Sequence, residues 1–161
     1  MKRRTFLAAT AIAPAILPRS VFGANKKLNI GFVGMGGQIQ GHVRNTLQLG
    51  HNVVAFCDVD PNQTDRSRNR HKDKAGKINA YMDYRQMLEN EKSLDAVVIG
   101  TPDHWHAPIC TAAMKAGKHV FCEKPLTHTV AESRDLRNLS HTAKVVTHTG
   151  NQGSASPNLR R

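Results

Sequence analysis

Six short apolar runs recur along the chain at 28–33, 53–57, 78–81, 96–99, 119–122 and 145–148, and none alternates strictly with polar residues. A strand that is apolar on both faces needs cover on both faces. The stretches between the runs read as helices at 38–49, 61–72, 84–90, 105–116 and 130–142, with Pro61 opening the second and Gly50 and Gly117 closing the first and fourth. Strands alternating with helices predict an α/β fold, a Rossmann-like doubly wound parallel sheet. With 161 residues, 39% hydrophobic and 22% charged, the chain suits one compact core, which excludes collagen, coiled coil and disorder. No apolar run reaches the roughly 18 to 20 residues of a membrane-spanning helix.

Residues 1–23 read as an address and not as part of the fold. Lys2-Arg3-Arg4 precedes Phe6-Leu7 and an Ala/Ile/Leu stretch broken by Pro14, and Val21-Phe22-Gly23-Ala24 follows. A charged start, a short apolar centre and small residues at a cleavage point describe an export signal. The Arg3-Arg4 pair resembles a twin-arginine signal, a route that carries folded proteins, so a periplasmic location is expected. The chain has 23 Lys and Arg against 12 Asp and Glu, a net +11. Four of those cations and no acid fall in residues 1–23, so the remainder is basic by +7.

Gly34-Met35-Gly36-Gly37-Gln38 follows the first strand and opens the first helix. There a dinucleotide pyrophosphate can sit on exposed N–H groups at the positive end of the helix. Gly34 allows the tight turn, and Gly36 lets the backbone approach the phosphates. Ile39 stands where the fingerprint has Gly or Ala, which bears against close packing of helix on strand. Asp58 ends the second strand, where an acid accepts from the adenosine ribose hydroxyls and repels a 2'-phosphate, so NAD is favoured over NADP. Arg66, Arg68, Arg70 and Lys72 scatter around their helix and read as a solvated basic face.

Cys57, Cys110 and Cys122 show no CxxC spacing, lie in apolar segments and read as buried thiols. His104, His106 and Cys110 lack a clear fourth ligand, so no metal site is expected. Trp105 either covers the cofactor or packs at the start of its helix, and packing is the expected role.

Gly34-Met35-Gly36-Gly37, Asp58, Thr101-Pro102-Asp103-His104-Trp105-His106 and Glu123-Lys124-Pro125 together resemble the Gfo/Idh/MocA oxidoreductases, in the order and positions of that family. The resemblance covers about residues 27 to 157, and Glu-Lys-Pro is its most specific element. It implies a cofactor site of Gly34, Gly36, Gly37, Gln38, Ile39, Asp58, Thr101, Pro102, His106, Glu123, Lys124 and Gln152. It also implies that Lys124 acts as the catalytic group on a sugar or polyol hydroxyl beside the nicotinamide. Lys124 follows a strand's carboxyl end, the edge where open α/β sheets bind ligands. A lysine works as acid and base near neutrality only when burial or a nearby positive charge lowers its pKa. Neighbours along an extended chain point apart, so Glu123 is free to hold backbone or cofactor hydroxyls instead.

Ser156-Pro157 reads as a helix cap and first helical position with four residues after it. Residues 24–150 are therefore expected to form the nucleotide-binding domain, and 151–161 to begin a linker. The resemblance implies a second α+β domain beyond, carrying substrate contacts and the oligomer interface. By itself the present chain is expected to turn over little or nothing, since one wall of the site is missing. Two other readings stand beside the oxidoreductase: relatives that use NAD transiently to cleave glycosides, and a non-catalytic basic module binding polyanions or an acidic partner. Nucleic acid is not an expected partner, because the 66–77 stretch lacks interleaved aromatics.

Overall fold

The computed structural model describes residues 27–151. The export signal, Gln152 and the helix start at Ser156-Pro157 lie outside the described residues. Six strands form one parallel sheet: β1 (Asn29–Val33), β2 (Asn52–Cys57), β3 (Asn79–Tyr81), β4 (Ala96–Ile99), β5 (His119–Cys122) and β6 (Thr147–Thr149). Their order is β3-β2-β1-β4-β5-β6 and every neighbouring pair is parallel. Five helices connect them: α1 (Ile39–Gln48), α2 (Pro61–His71), α3 (Tyr84–Asn90), α4 (His106–Lys115) and α5 (Val130–Thr142). The order reverses between β1 and β4, and at such a switch point the connecting loops part to leave a crevice outside the strand ends.

The central strands are buried on both faces, as their unbroken apolar sequences require. Phe32, Phe56, Ile30 and Val98 point to one face and pack under Ile39 and Val43 of α1. Val33, Ala55, Val97 and Ile99 point to the other, under Met87 of α3, Ile109 and Met114 of α4 and Leu136 of α5. Phe32 and Phe56 meet edge to face at 6.1 Å. Fully burying one such side chain contributes about 1.5–3 kcal/mol. The polar α2 buries Thr64, Ser67 and His71, and Ser67 Oγ accepts from Gln40 Nε2 of α1 at 2.8 Å. All three cysteines are buried free thiols. No helix among the described residues is long and apolar enough to cross a membrane.

Ile39 corrects an expectation. It is wholly buried, and α1 packs closely on the sheet despite the missing small residue. The space comes from the facing strand exit: a Cβ on Gly100 would stand 2.7 Å from Ile39 Cδ1. The small residue has moved from the helix to its partner. The last strand also differs, beginning at Thr147 instead of 145. Lys144 has φ +53° where the chain leaves α5, Val146 N–H donates to His119 Nδ1 at 2.9 Å while its carbonyl accepts from Val120 N–H, and Thr147 is the first residue in register, opposite Val120. The fourth helix is shorter at its start, because Asp103–Trp105 forms a 3-10 turn ahead of it.

Candidate cofactor site

The carboxyl ends of β1, β2 and β4 bring Gly34, Asp58, Thr101 and Pro102 together in one cleft of about 340 Å3. Gly34 has φ +82°, a left-handed conformation that side chains resist. A Cβ there would also lie 2.7 Å from Thr101 N and 2.8 Å from Gly100 C and O. Its own N–H donates to Cys57 O at 2.8 Å, tying the loop to β2. Gly36 and Gly37 differ in kind: a Cβ on either meets nothing within 4 Å, and both are exposed.

Three helices begin with side-chain caps: Asp60 on α2, Asp83 on α3, and Thr129 with Glu132 in a capping box on α5. α1, with Gln38 at its N-cap, has no side-chain cap and no acid in its first turn; α4, which follows its 3-10 turn, has no side-chain cap either. The N–H groups that open α1, at the positive end of the helix dipole, are thus not taken up by a side-chain cap, while Gln40 N–H donates to Gly37 O at 3.3 Å and Gly41 N–H to Gln38 O at 3.2 Å. Beside them Thr101 Oγ1 is buried without a hydrogen-bond partner among the described residues. A buried hydroxyl lacking a partner costs free energy unless a ligand supplies one. Open glycines, an uncapped helix and an orphaned hydroxyl fit a dinucleotide diphosphate.

Asp58 has a second task that the sequence did not suggest. Its Oδ2 accepts from Met35 N–H at 2.6 Å and its Oδ1 from Asp60 N–H at 2.9 Å, so the carboxylate clamps the glycine loop. An ionised carboxylate has about four acceptor sites, which leaves capacity for ribose hydroxyls. Tyr84, Arg85, Met82 and Trp105 complete the cleft wall, and of these only Trp105 had a cofactor contact weighed for it from the sequence. Trp105 is 43% exposed, so it lines the cleft instead of packing inside; the 3-10 turn swings its ring out toward Tyr84, 6.4 Å away. Arg85 stacks over Tyr84 at 4.6 Å.

Lys124 and Glu123 lie at the end of β5, beyond this cleft's wall but on the same sheet edge. From β2 to β5 is three strand spacings, about 14 Å at ~4.8 Å each, a separation that an extended dinucleotide spans. Lys124 is exposed. Glu123 is 6% exposed, and its Oε1 sits 2.5 Å from His42 Nε2 of α1. Its backbone N–H donates to Ile99 O at 2.9 Å. The carboxylate expected to be free for cofactor hydroxyls is thus engaged beneath the edge.

His106 is 1% exposed and does not face the cleft. Its Nδ1 lies 2.6 Å from Pro125 O and its Nε2 2.8 Å from Thr101 O. Carbonyl oxygens only accept, so both contacts are hydrogen bonds when the ring carries both protons. His106 therefore joins the Thr101 loop to the Pro125 loop and acts on the site through them. His104 is exposed and lies 3.8 Å from Asp103. His42 was missed altogether. Its only signal was an ionisable residue between Ile39 and Val43, the apolar contacts of α1.

The sequence profile of the oxidoreductase family with NAD-binding Rossmann fold, Gfo/Idh/MocA, matches residues 28–151. A glycosyl hydrolase family 109 protein of Shewanella pealeana is 37% identical over 114 residues, which is 65% of this chain and 24% of that protein. An alpha-N-acetylgalactosaminidase of Tannerella forsythia is 35% identical over 120 residues, 70% of this chain and 25% of that one. The solved myo-inositol 2-dehydrogenase of Lactobacillus plantarum superposes with a TM-score of 0.74 at 26% identity, covering 82% of this chain and 38% of that one. The chain spans about a quarter of the length of the curated relatives it matches. With its strand order, glycine loop and terminal Asp58 in the positions such a cofactor requires, this chain belongs to the Gfo/Idh/MocA oxidoreductase family, and NAD is its cofactor.

Proposed function

We propose that this chain is the cofactor half of an enzyme that oxidises a sugar or polyol hydroxyl. Bound NAD supplies the hydride acceptor. The N–H groups of Gly36, Gly37, Gln38 and Ile39 hold the pyrophosphate, Asp58 holds the adenosine ribose, and Thr101 and Pro102 line the path between. Lys124 receives the proton of the substrate hydroxyl. The observation that carries this reading is the uncapped, glycine-lined start of α1 on the same sheet edge as Asp58, the orphaned Thr101 hydroxyl and Lys124. Lys124 is exposed and the sheet edge beside it is open, so substrate must be enclosed by a further wall before hydride can move.

A second reading has its own support. The curated relatives at 35–37% identity carry the names of glycosidases, whereas the solved inositol dehydrogenase stands at 26%. An NAD-dependent glycoside cleavage also starts by oxidising a sugar hydroxyl, so the same cofactor residues serve both. Export belongs to the proposal as well, on the strength of Arg3-Arg4 and the apolar stretch behind them.

NADH titration, read by nicotinamide fluorescence, tests the cofactor half. The parent is expected to bind NADH in preference to NADPH, and Asp58→Ala to lose at least tenfold. Equal binding by Asp58→Ala and parent refutes it. Protein purified from its native cell then separates the two reactions. Reduction of NAD by polyols supports the first, and release of sugar from an α-N-acetylgalactosaminide without net NAD reduction supports the second. Its intact mass reads the export signal: removal of 23 or 24 residues is expected, and a retained Met1 overturns that part.

A further inference from the structure

His42 and Glu123 lie 81 residues apart and meet at 2.5 Å between α1 and the end of β5. α1 is the helix whose first turn offers the pyrophosphate donors. Glu123 precedes Lys124, and its backbone is fixed to β4 through Ile99 O. One side-chain pair therefore couples the phosphate end of the cofactor site to the strand end that presents the lysine. The surroundings hold the pair in place. The His42 ring leans on Phe121 at 4.9 Å, and Phe121 stacks on His148 at 5.4 Å and 8°. On the far side, a Cβ at Gly150 would lie 3.0 Å from Glu123 Oε2, so the carboxylate is packed against the backbone leaving β6. His42 is 25% exposed at its side chain and Glu123 7%, so water weakens the pair little on the Glu123 side.

Building on the cofactor reading above, we propose that His42 is a positioning residue: by holding the Glu123 carboxylate it keeps the nicotinamide end of the cleft, with Lys124, in register with the pyrophosphate-binding start of α1. Removing the donor breaks this link between Glu123 and α1 and lets the turn that carries Lys124 shift relative to the phosphates. The loss is then specific to ligands that reach β5. ADP occupies only the adenosine and diphosphate positions and does not reach it.

The test compares NADH with ADP on the full chain, in the parent, His42→Phe, His42→Gln and Glu123→Gln, with thermal melts of each. His42→Phe is expected to weaken NADH by about five- to tenfold, or about 1 kcal/mol, and ADP by less than twofold. His42→Gln, which keeps a side-chain N–H donor, is expected to restore NADH affinity to within about twofold of the parent. Adding Glu123→Gln to His42→Phe is expected to cost less than the sum of the two single losses, since the pair is already broken. Equal losses of NADH and ADP in His42→Phe, or additive losses in the double variant, overturn the inference and leave the cofactor reading intact. Should His42→Phe melt much lower than the parent, Glu123→Gln and His42→Gln decide the matter by the same comparison. A parent that binds neither ligand overturns the cofactor reading and this inference with it.

Discussion

Gly34 and Gly36 sit two residues apart in one loop, and the structure assigns them different physical tasks. Alanine at Gly34 meets two costs. The φ of +82° places an L-residue in the left-handed region, which costs about 1–2 kcal/mol. Its Cβ would stand 2.7 Å from Thr101 N and 2.8 Å from Gly100, all backbone atoms that no rotamer change can move aside. Restoring ordinary contact requires the loop and the β4 exit to part by about 0.7 Å, an overpacking cost of about 1–3 kcal/mol. The sum, about 2–5 kcal/mol, is a large share of the roughly 5–15 kcal/mol that stabilises a domain. Alanine at Gly36 meets nothing within 4 Å and adopts no left-handed φ, so its stability is expected within about 0.5 kcal/mol of the parent. Its methyl instead enters the space reserved for phosphate, and NADH affinity is expected to fall at least tenfold, about 1.4 kcal/mol. Urea unfolding followed by circular dichroism gives the stabilities, and NADH titration the affinities. The reasoning is refuted if Gly36→Ala unfolds as early as Gly34→Ala, or if Gly36→Ala binds NADH like the parent.

Asp58→Asn keeps an acceptor oxygen but loses the charge that grips Met35 N–H, so NADH binding is expected to weaken several-fold, while an NADPH affinity rising above that for NADH would show repulsion to be its main role. Burial and the Asp83 and Asp58 charges push the Cys57 thiol up to about 12, and the hydrogen bond to Glu91 together with burial pushes Tyr81 to about 12. Both groups ionise more easily when unfolded, so their contribution is whole below about pH 8.5 for the thiol and about pH 10 for the phenol and is lost as pH rises toward 12. Melting temperature is expected to fall over that range, and less steeply in Tyr81→Phe; an unchanged slope contradicts the assignment. His71 is held below its ordinary value by burial and by the Arg70, Lys74 and Arg44 charges, so its contribution is present above about pH 6.5 and drains away as pH falls below that. His71→Gln is accordingly expected to flatten the acid limb of the melting curve. Gly150→Ala places a Cβ 3.0–3.1 Å from Glu123 and Phe121 and is expected to destabilise by about 1–3 kcal/mol, with a wild-type urea midpoint as the contrary result.

The strands β4 and β5 and the helices α3 and α5 fall at the residues that the alternation of apolar runs and intervening stretches predicts, and Asp83 and the Thr129–Glu132 box, which the structure shows as the caps of α3 and α5, carry signals of the same short range. Signals of this kind are local: a Val-Val-Ile run, an Asp cap and a Thr-x-x-Glu box act within a few residues. β6 departs because Val145 and Val146 have high β-propensity, whereas the ladder starts only where β5 offers a partner at Val120. In the site, Gly34, Asp58, Thr101 and Pro102 were legible because each ends a strand on the carboxyl edge. His106 was expected as a cofactor neighbour and is instead a buried bridge, which the sequence could not show because Thr101 O and Pro125 O come from two different strand exits.

The sequence by itself determined the fold class, the sheet edge where the candidate site lies, and the NAD-binding class, because periodicity and the glycine-to-aspartate spacing are properties of short segments and their order. Tertiary structure alone decided which residues meet across the sheet. Gly100 makes room for Ile39, Asp58 clamps Met35, and Glu123 turns to His42. Each of these contacts joins residues 23 to 81 positions apart, and such separations close only when the strands take their places side by side.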